Sequence, residues 1–152
     1  MYEWALLVHL LGVIAYFAGL AVSAVALFAA RRGTTPGEVA ALLGTARWGV
    51  ALVGAGILVT VAGGLWLLAE TPYGLEGWVV ASVVLLAVAL VAGGVGGQAP
   101  KRARRLAERL AGEGASLTPE LRAALRDRRA DALNAVGAAA SVAIVVLMVF
   151  KP

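Results

Sequence analysis

Residues 4–30 read WALLVHLLGVIAYFAGLAVSAVALFAA, an unbroken run without Asp, Glu, Lys or Arg and with one histidine at position 9. The hydrocarbon core of a bilayer is about 30 Å thick, and an α-helix rising about 1.5 Å per residue crosses it in roughly 20 residues. The run meets that length with margin. It lacks the basic leader and short apolar core of a signal peptide, which predicts a retained membrane helix. Its histidine poses a functional question, because an ionisable side chain at such depth is costly and by default marks a site.

Three further runs repeat the pattern, from about Trp48 to Ala69, Trp78 to Gly97 and Leu133 to Phe150. The expectation is four spans, 4–30, 48–69, 78–97 and 133–150, in one integral membrane domain covering 1–152. Composition agrees: 61% of the 152 residues are apolar and 14% charged, with a mean hydropathy of +0.89, far from soluble norms. The chain has no cysteine and a single histidine. Disulfides, thiolate metal sites, iron–sulfur clusters and Cys nucleophiles are thereby excluded, and a self-contained zinc site lacks ligands. A pI of about 10.1 would suit nucleic acid. The basic residues fall instead into two loops beside apolar spans, where topology and anionic lipid account for them.

Those basic residues orient the chain. Arg31, Arg32 and Arg47 follow the first span and nine more Lys and Arg follow the third, whereas the opposite side has only Lys151. Positive residues collect on the cytoplasmic side, which predicts both loops cytoplasmic and both termini extracytoplasmic. Trp4, Tyr73 and Trp78, with Glu3, Glu70 and Glu76, then mark the outer interface, and Trp48 the inner one. The stretch 33–47, GTTPGEVAALLGTAR, reads as a polar connector. The cytoplasmic loop 98–132 carries Leu106, Leu110, Leu121 and Leu125 at helical spacing on either side of AGEGAS, so it reads as an amphipathic helical hairpin that lies on the membrane or continues the third and fourth spans. Thr118-Pro119-Glu120 is a helix start, with a hydroxyl cap, a proline at the first position and a carboxylate near the positive dipole end. A solvated connector and a lipid- or partner-binding segment both fit this loop.

The interior faces can be read from residue size. Lipid gives no reward for burying leucine, whereas small residues let helix backbones approach closely. On the first span His9, Gly12, Tyr16, Gly19 and Ser23 follow steps of three and four and form one stripe, with Leu6, Leu10, Leu11, Ile14 and Phe17 mostly on the remaining surface. The fourth span repeats this with Asn134, Gly137, Ser141 and Met148. The second offers Gly56, Thr60, Gly63 and Gly64, and the third ends in GGVGG, where Gly93 and Gly97 have the GxxxG interval of a packing contact within the bundle or of a dimer. The first and fourth spans run in opposite directions, which puts His9 and Met148 at similar depth, each about 7 Å of helix rise from its outer end.

No Gly-x-Ser-x-Gly, Walker loop or HExxH motif is present. Glu70 and Glu76 read as solvated turn residues, and Arg47 as a snorkelling boundary residue rather than an anion ligand. His9, Tyr16, Met148 and Lys151 remain as the candidate site. A four-helix membrane bundle with an inward imidazole suits b-type haem, with His9 and Met148 as candidate metal ligands and Lys151 placed to meet a propionate. A hydrogen-bonded structural histidine and a Met148 that only packs are the alternatives.

The first helix, HLLGVIAYFAGL, resembles the signature "H-x-x-G-x-x-x-W-x-G-G-L" of small bacterial four-helix membrane proteins, the copper-resistance protein D-like group and the membrane proteins that oxidise protoporphyrinogen. It departs in having Tyr16 and Ala18-Gly19 where the signature has Trp and Gly-Gly. The ending LRAALRDRRADALNAVGAAASVAIVVLMVFKP more closely resembles a bacterial family described as a predicted integral membrane protein, a domain of unknown function. That family is similar in its arginine-flanked loop, an "LRD"-like segment and a terminal "LMV-x-KP". By position the resemblance falls on His9, Gly12, Gly19, Met148, Lys151 and Pro152, and it implies a multi-pass protein of the bacterial cytoplasmic membrane.

The resulting expectation is an all-α, four-helix transmembrane bundle. Its leading function is haem or porphyrin binding near the outer leaflet in a redox or accessory role. A non-catalytic membrane subunit or homo-oligomeric packing module is the first alternative, and transport of a metal ion or small solute the second.

Overall fold

A computed structural model describes residues 1–71 and 76–151; among them there are six α-helices and no strand. In chain order these are α1 (Tyr2–Ala30), α2 (Pro36–Glu70), α3 (Gly77–Gly96), α4 (Gln98–Gly112), α5 (Pro119–Leu125) and α6 (Arg128–Phe150). Four helical stretches are long and apolar enough to cross a membrane. Tyr73 and Pro152 lie outside the described residues.

The ends of these helices depart from the hydropathy boundaries for local chemical reasons. The expected connector 33–47 is mostly helix: Thr35 caps α2 by accepting from the Glu38 N–H at 3.2 Å, and Pro36 occupies the first helical position. Glu38 reaches back, accepting the Thr34 backbone N–H at 2.8 Å and its hydroxyl at 3.1 Å. The reciprocal cap starts the helix some twelve residues before the apolar run, because polar residues fit a helix wherever its first turn is satisfied. At 35 residues, α2 is about 52 Å long and outreaches the hydrocarbon layer. Likewise α6 starts at Arg128 rather than Leu133, with Asp127 accepting from the Arg129 and Ala130 N–H groups at 3.0 and 3.1 Å.

The loop after α3 contains the two expected helices. Gly97 keeps helical dihedrals (φ −69°, ψ −8°), so α4 continues α3 and the stretch Gly77–Gly112 runs on as one long helix. Thr118 caps α5, accepting from the Leu121 N–H at 3.2 Å, with Pro119 at the first helical position.

Two compact units make up the chain, Met1–Gly74 with Ala107–Leu117, and Leu75–Leu106 with Thr118–Pro152. In the first, α1 packs antiparallel on α2. Buried α1 positions Ala5, His9, Gly12, Gly19, Ala26 and Ala30 continue the stripe read from the sequence, and on α2 Gly49, Gly56 and Gly63 recur every seven residues. Seven residues are close to two helical turns, so the three glycines line one seam. Leu7, Leu10, Leu11, Ile14 and Phe28 are exposed. Small residues inside and large apolar ones outside reverse the order of a water-soluble core, as a lipid solvent requires.

The second unit pairs α3 with α6. Val79, Ser82, Ala89, Ala92 and Gly96 are buried on α3, and Ala130, Gly137, Ala140 and Ser141 on α6. The glycine at the seam is Gly96, whose Cα faces Asn134 and the Ala130 carbonyl; a Cβ added to Gly93 would meet nothing within 4 Å. Gly93 meets α6 only through its backbone nitrogen, 3.6 Å from where a Cβ on Gly137 would stand, so within this chain the tight contact of GGVGG is at Gly96. GGVGG offers glycines on several faces, and burial at Ala89 and Ala92 selects the one in line with them.

Candidate functional site

His9 is 7% exposed and is seated by two consecutive glycines of α2. A Cβ on Gly63 would stand 2.7 Å from the His9 nitrogen and 2.8 Å from its Cα, so only glycine lets the backbones come this close. A Cβ on Gly64 would stand 3.3 Å from Nδ1, against the imidazole itself. The ring is fixed from below as well: Nδ1 lies 2.8 Å from the Thr60 carbonyl oxygen. A carbonyl can only accept, so Nδ1 carries the proton and the lone pair of the neutral ring sits on Nε2. Backbone bonds of this kind set the tautomer of metal-ligating histidines and raise their basicity.

Below His9 the seam proceeds in antiparallel register. Gly12 faces Thr60, Tyr16 faces Gly56, Gly19 faces Val53 and Gly49, and Ser23 faces Gly49. The Thr60 and Ser23 hydroxyl oxygens are buried without a hydrogen-bond partner among the described residues. Each is set over a glycine of the facing helix, Gly12 and Gly49 respectively. The same arrangement recurs where Asn134 Oδ1 meets Gly96.

Tyr16 is half-buried and meets the edge of the Phe17 ring, with centroids 5.4 Å apart. It lies two turns from His9, about 10.5 Å along α1, so the two side chains share a stripe without being neighbours. Met148 and Lys151 belong to the second unit. Met148 is half-buried on α6. Lys151 ends that helix in the left-handed conformation (φ 43°, ψ 56°), with Nζ 5.7 Å from the centroid of the Trp78 ring. Trp78 also donates its indole N–H to Glu76 at 2.7 Å, and the Lys151 contact ties the end of α6 to the start of α3.

Among the described residues no three of His, Cys, Asp and Glu converge on a point that could hold a metal ion. The sequence placed His9 on the inward stripe and named Gly63 and Gly64, but it did not join them. The signal for doing so was the seven-residue glycine spacing on α2 facing a stripe of matching period on α1.

No curated protein and no solved structure matches the chain, so the likeness of the first helix to the copper-resistance and protoporphyrinogen-oxidising groups rests on its motif alone. A family model covers residues 4–152, nearly the whole length. With four helical stretches able to cross a bilayer and this match, the chain belongs to the family described as "Predicted integral membrane protein (DUF2269)".

Proposed function

We propose that this integral membrane protein binds a b-type haem or related porphyrin through His9, in a redox or accessory role, near the outer leaflet of a bacterial cytoplasmic membrane. The observation that carries the reading is the His9 Nδ1 bond to the Thr60 carbonyl at 2.8 Å, which leaves Nε2 as the ligating atom of a ring held by Gly63 and Gly64. His9 would hold the iron and Tyr16, on the same stripe, would line the site; both belong to the first unit. Haem in such a setting supplies one-electron chemistry, its potential set by the axial ligands and apolar walls. The distribution of Lys and Arg supports outside termini, and the basic segments after the first and third spans face anionic lipid.

Titration of the purified protein with haemin tests the reading. A saturable Soret shift that His9→Ala abolishes is expected; a shift retained by His9→Ala would overturn it.

A second reading draws on the same bond. His9 also ties α1 to α2 beside a glycine seam, as a structural histidine would in a packing module or a subunit of a larger membrane complex. Under that reading haemin gives no saturable shift, and His9→Ala lowers stability alone.

A further inference from the structure

The antiparallel seam of α3 and α6 sets Gly96 level with Ala130 and Asn134. Counted outward from that level by helix rise, the first turns of α4 and the start of α6 stand at similar height. Ala99, Ala103, Leu121, Leu125 and Ala130 are buried along these two stretches, which leaves the basic residues between them on the outside. Lys101, Arg102, Arg105, Arg126, Arg128 and Arg129 are exposed. Among the described residues none of these six side chains has a hydrogen bond, ion pair or ring contact. Of the nearby acids, Asp127 caps α6, and Glu108 and Asp131 have partners outside these six residues.

Six cations of one sign in one band repel each other, and an anionic surface relieves that repulsion. Their height identifies the surface. Lys101 and Arg102 stand about 6–8 Å beyond Gly97, and Arg128 and Arg129 about as far from Leu133, where the apolar run begins, with Arg105 and Arg126 about 10–12 Å out, at the limit of side-chain reach. The headgroup layer is about 5–7 Å thick, and Lys and Arg side chains reach back toward it. Arg109, about 18 Å beyond Gly97, stands clear.

We propose that these six residues form a collar that grips the phosphates of anionic phospholipid, with guanidinium forks taking phosphate oxygens in pairs. This deepens the lipid contact proposed above and rests on it; it is independent of His9.

The test is native mass spectrometry of the full-length protein with phosphatidylglycerol, phosphatidylcholine or inorganic phosphate. Wild type should retain phosphatidylglycerol over phosphatidylcholine, and inorganic phosphate should not displace it. The variant R102Q/R105Q/R128Q/R129Q should lose retention by roughly fivefold for each cation removed, while R109Q/R122Q, farther from the span, keeps it. Single R105Q and R129Q variants, each expected to lose roughly fivefold, carry the test if the quadruple variant does not fold. Equal loss in the near and far variants would overturn the collar while leaving the lipid contact standing. No preference for phosphatidylglycerol in wild type would overturn the lipid contact itself, and displacement by inorganic phosphate would mean a free-anion site.

Discussion

Substituting Gly63 with alanine tests the seat of His9 with one carbon atom. The new Cβ would stand 2.7 Å from the His9 nitrogen, 2.8 Å from its Cα and 3.0 Å from its Cβ, whereas carbon atoms in contact prefer about 3.5–4.0 Å. These neighbours are mostly backbone, so α1 and α2 must part locally by roughly 1 Å. Overpacking of that kind costs about 1–3 kcal/mol. The His9 to Thr60 bond, 2.8 Å long, stretches past hydrogen-bonding distance with the same movement, at a further cost of about 0.6–1.7 kcal/mol in a membrane setting. The expected loss is about 2–4 kcal/mol. Unfolding in mixed micelles of dodecyl sulfate, followed by tryptophan fluorescence, reads it. Two controls grade the effect: Gly64→Ala, with its nearest contact at 3.3 Å on the imidazole, and Gly93→Ala, with nothing within 4 Å. Gly64→Ala should fall within about 1 kcal/mol of wild type because a ring edge can shift by a few tenths of an ångström. Gly93→Ala should be neutral or gain up to about 1 kcal/mol from helix propensity. A Gly63→Ala variant as stable as wild type, or a Gly93→Ala variant as damaged as Gly63→Ala, would refute the seam.

The cap of α2 gives two further expectations. Thr35→Ala removes the acceptor of the Glu38 N–H and should lower stability by about 1 kcal/mol, with faster amide exchange confined to residues 36–40; unchanged exchange there would remove the cap from the account. Glu38, in the part of α2 that precedes the apolar run, is held below the ordinary carboxylate range by the Thr34 backbone N–H first, then the Thr34 hydroxyl and the Thr35 backbone. A lowered folded pKa means that the carboxylate stabilises the fold above its unfolded pKa and that the contribution is lost as pH falls through the folded one. Carbon-13 NMR of the Glu38 carboxyl should therefore titrate below a free-peptide glutamate, and a midpoint at or above that reference would contradict the capping geometry.

The membrane fold was legible because lipid as a solvent acts on each residue separately. Charge-free runs of sufficient length report helices one at a time, and the His9 stripe follows from α1 alone. Pair geometry is different. Which of the glycines in GGVGG meets α6, and that Gly63 and Gly64 frame the imidazole, depend on the register of two helices, and each helix's periodicity leaves that register open. The early start of α2 was written in Thr35, Pro36 and Glu38, the same pattern read correctly at Thr118, but the polar character of 33–47 concealed it. Hydropathy locates the bilayer rather than the helix end, and α2 and α6 both begin before their apolar runs.

The proposed haem site depends on Nε2 of His9, which would hold the iron. The most direct measurement is the absorption spectrum of protein purified from haem-replete membranes, oxidised and dithionite-reduced, beside His9→Ala. A Soret band with reduced α and β bands is expected in wild type, and their loss in the variant. A wild-type preparation with no Soret band, or a band that survives His9→Ala, would contradict it.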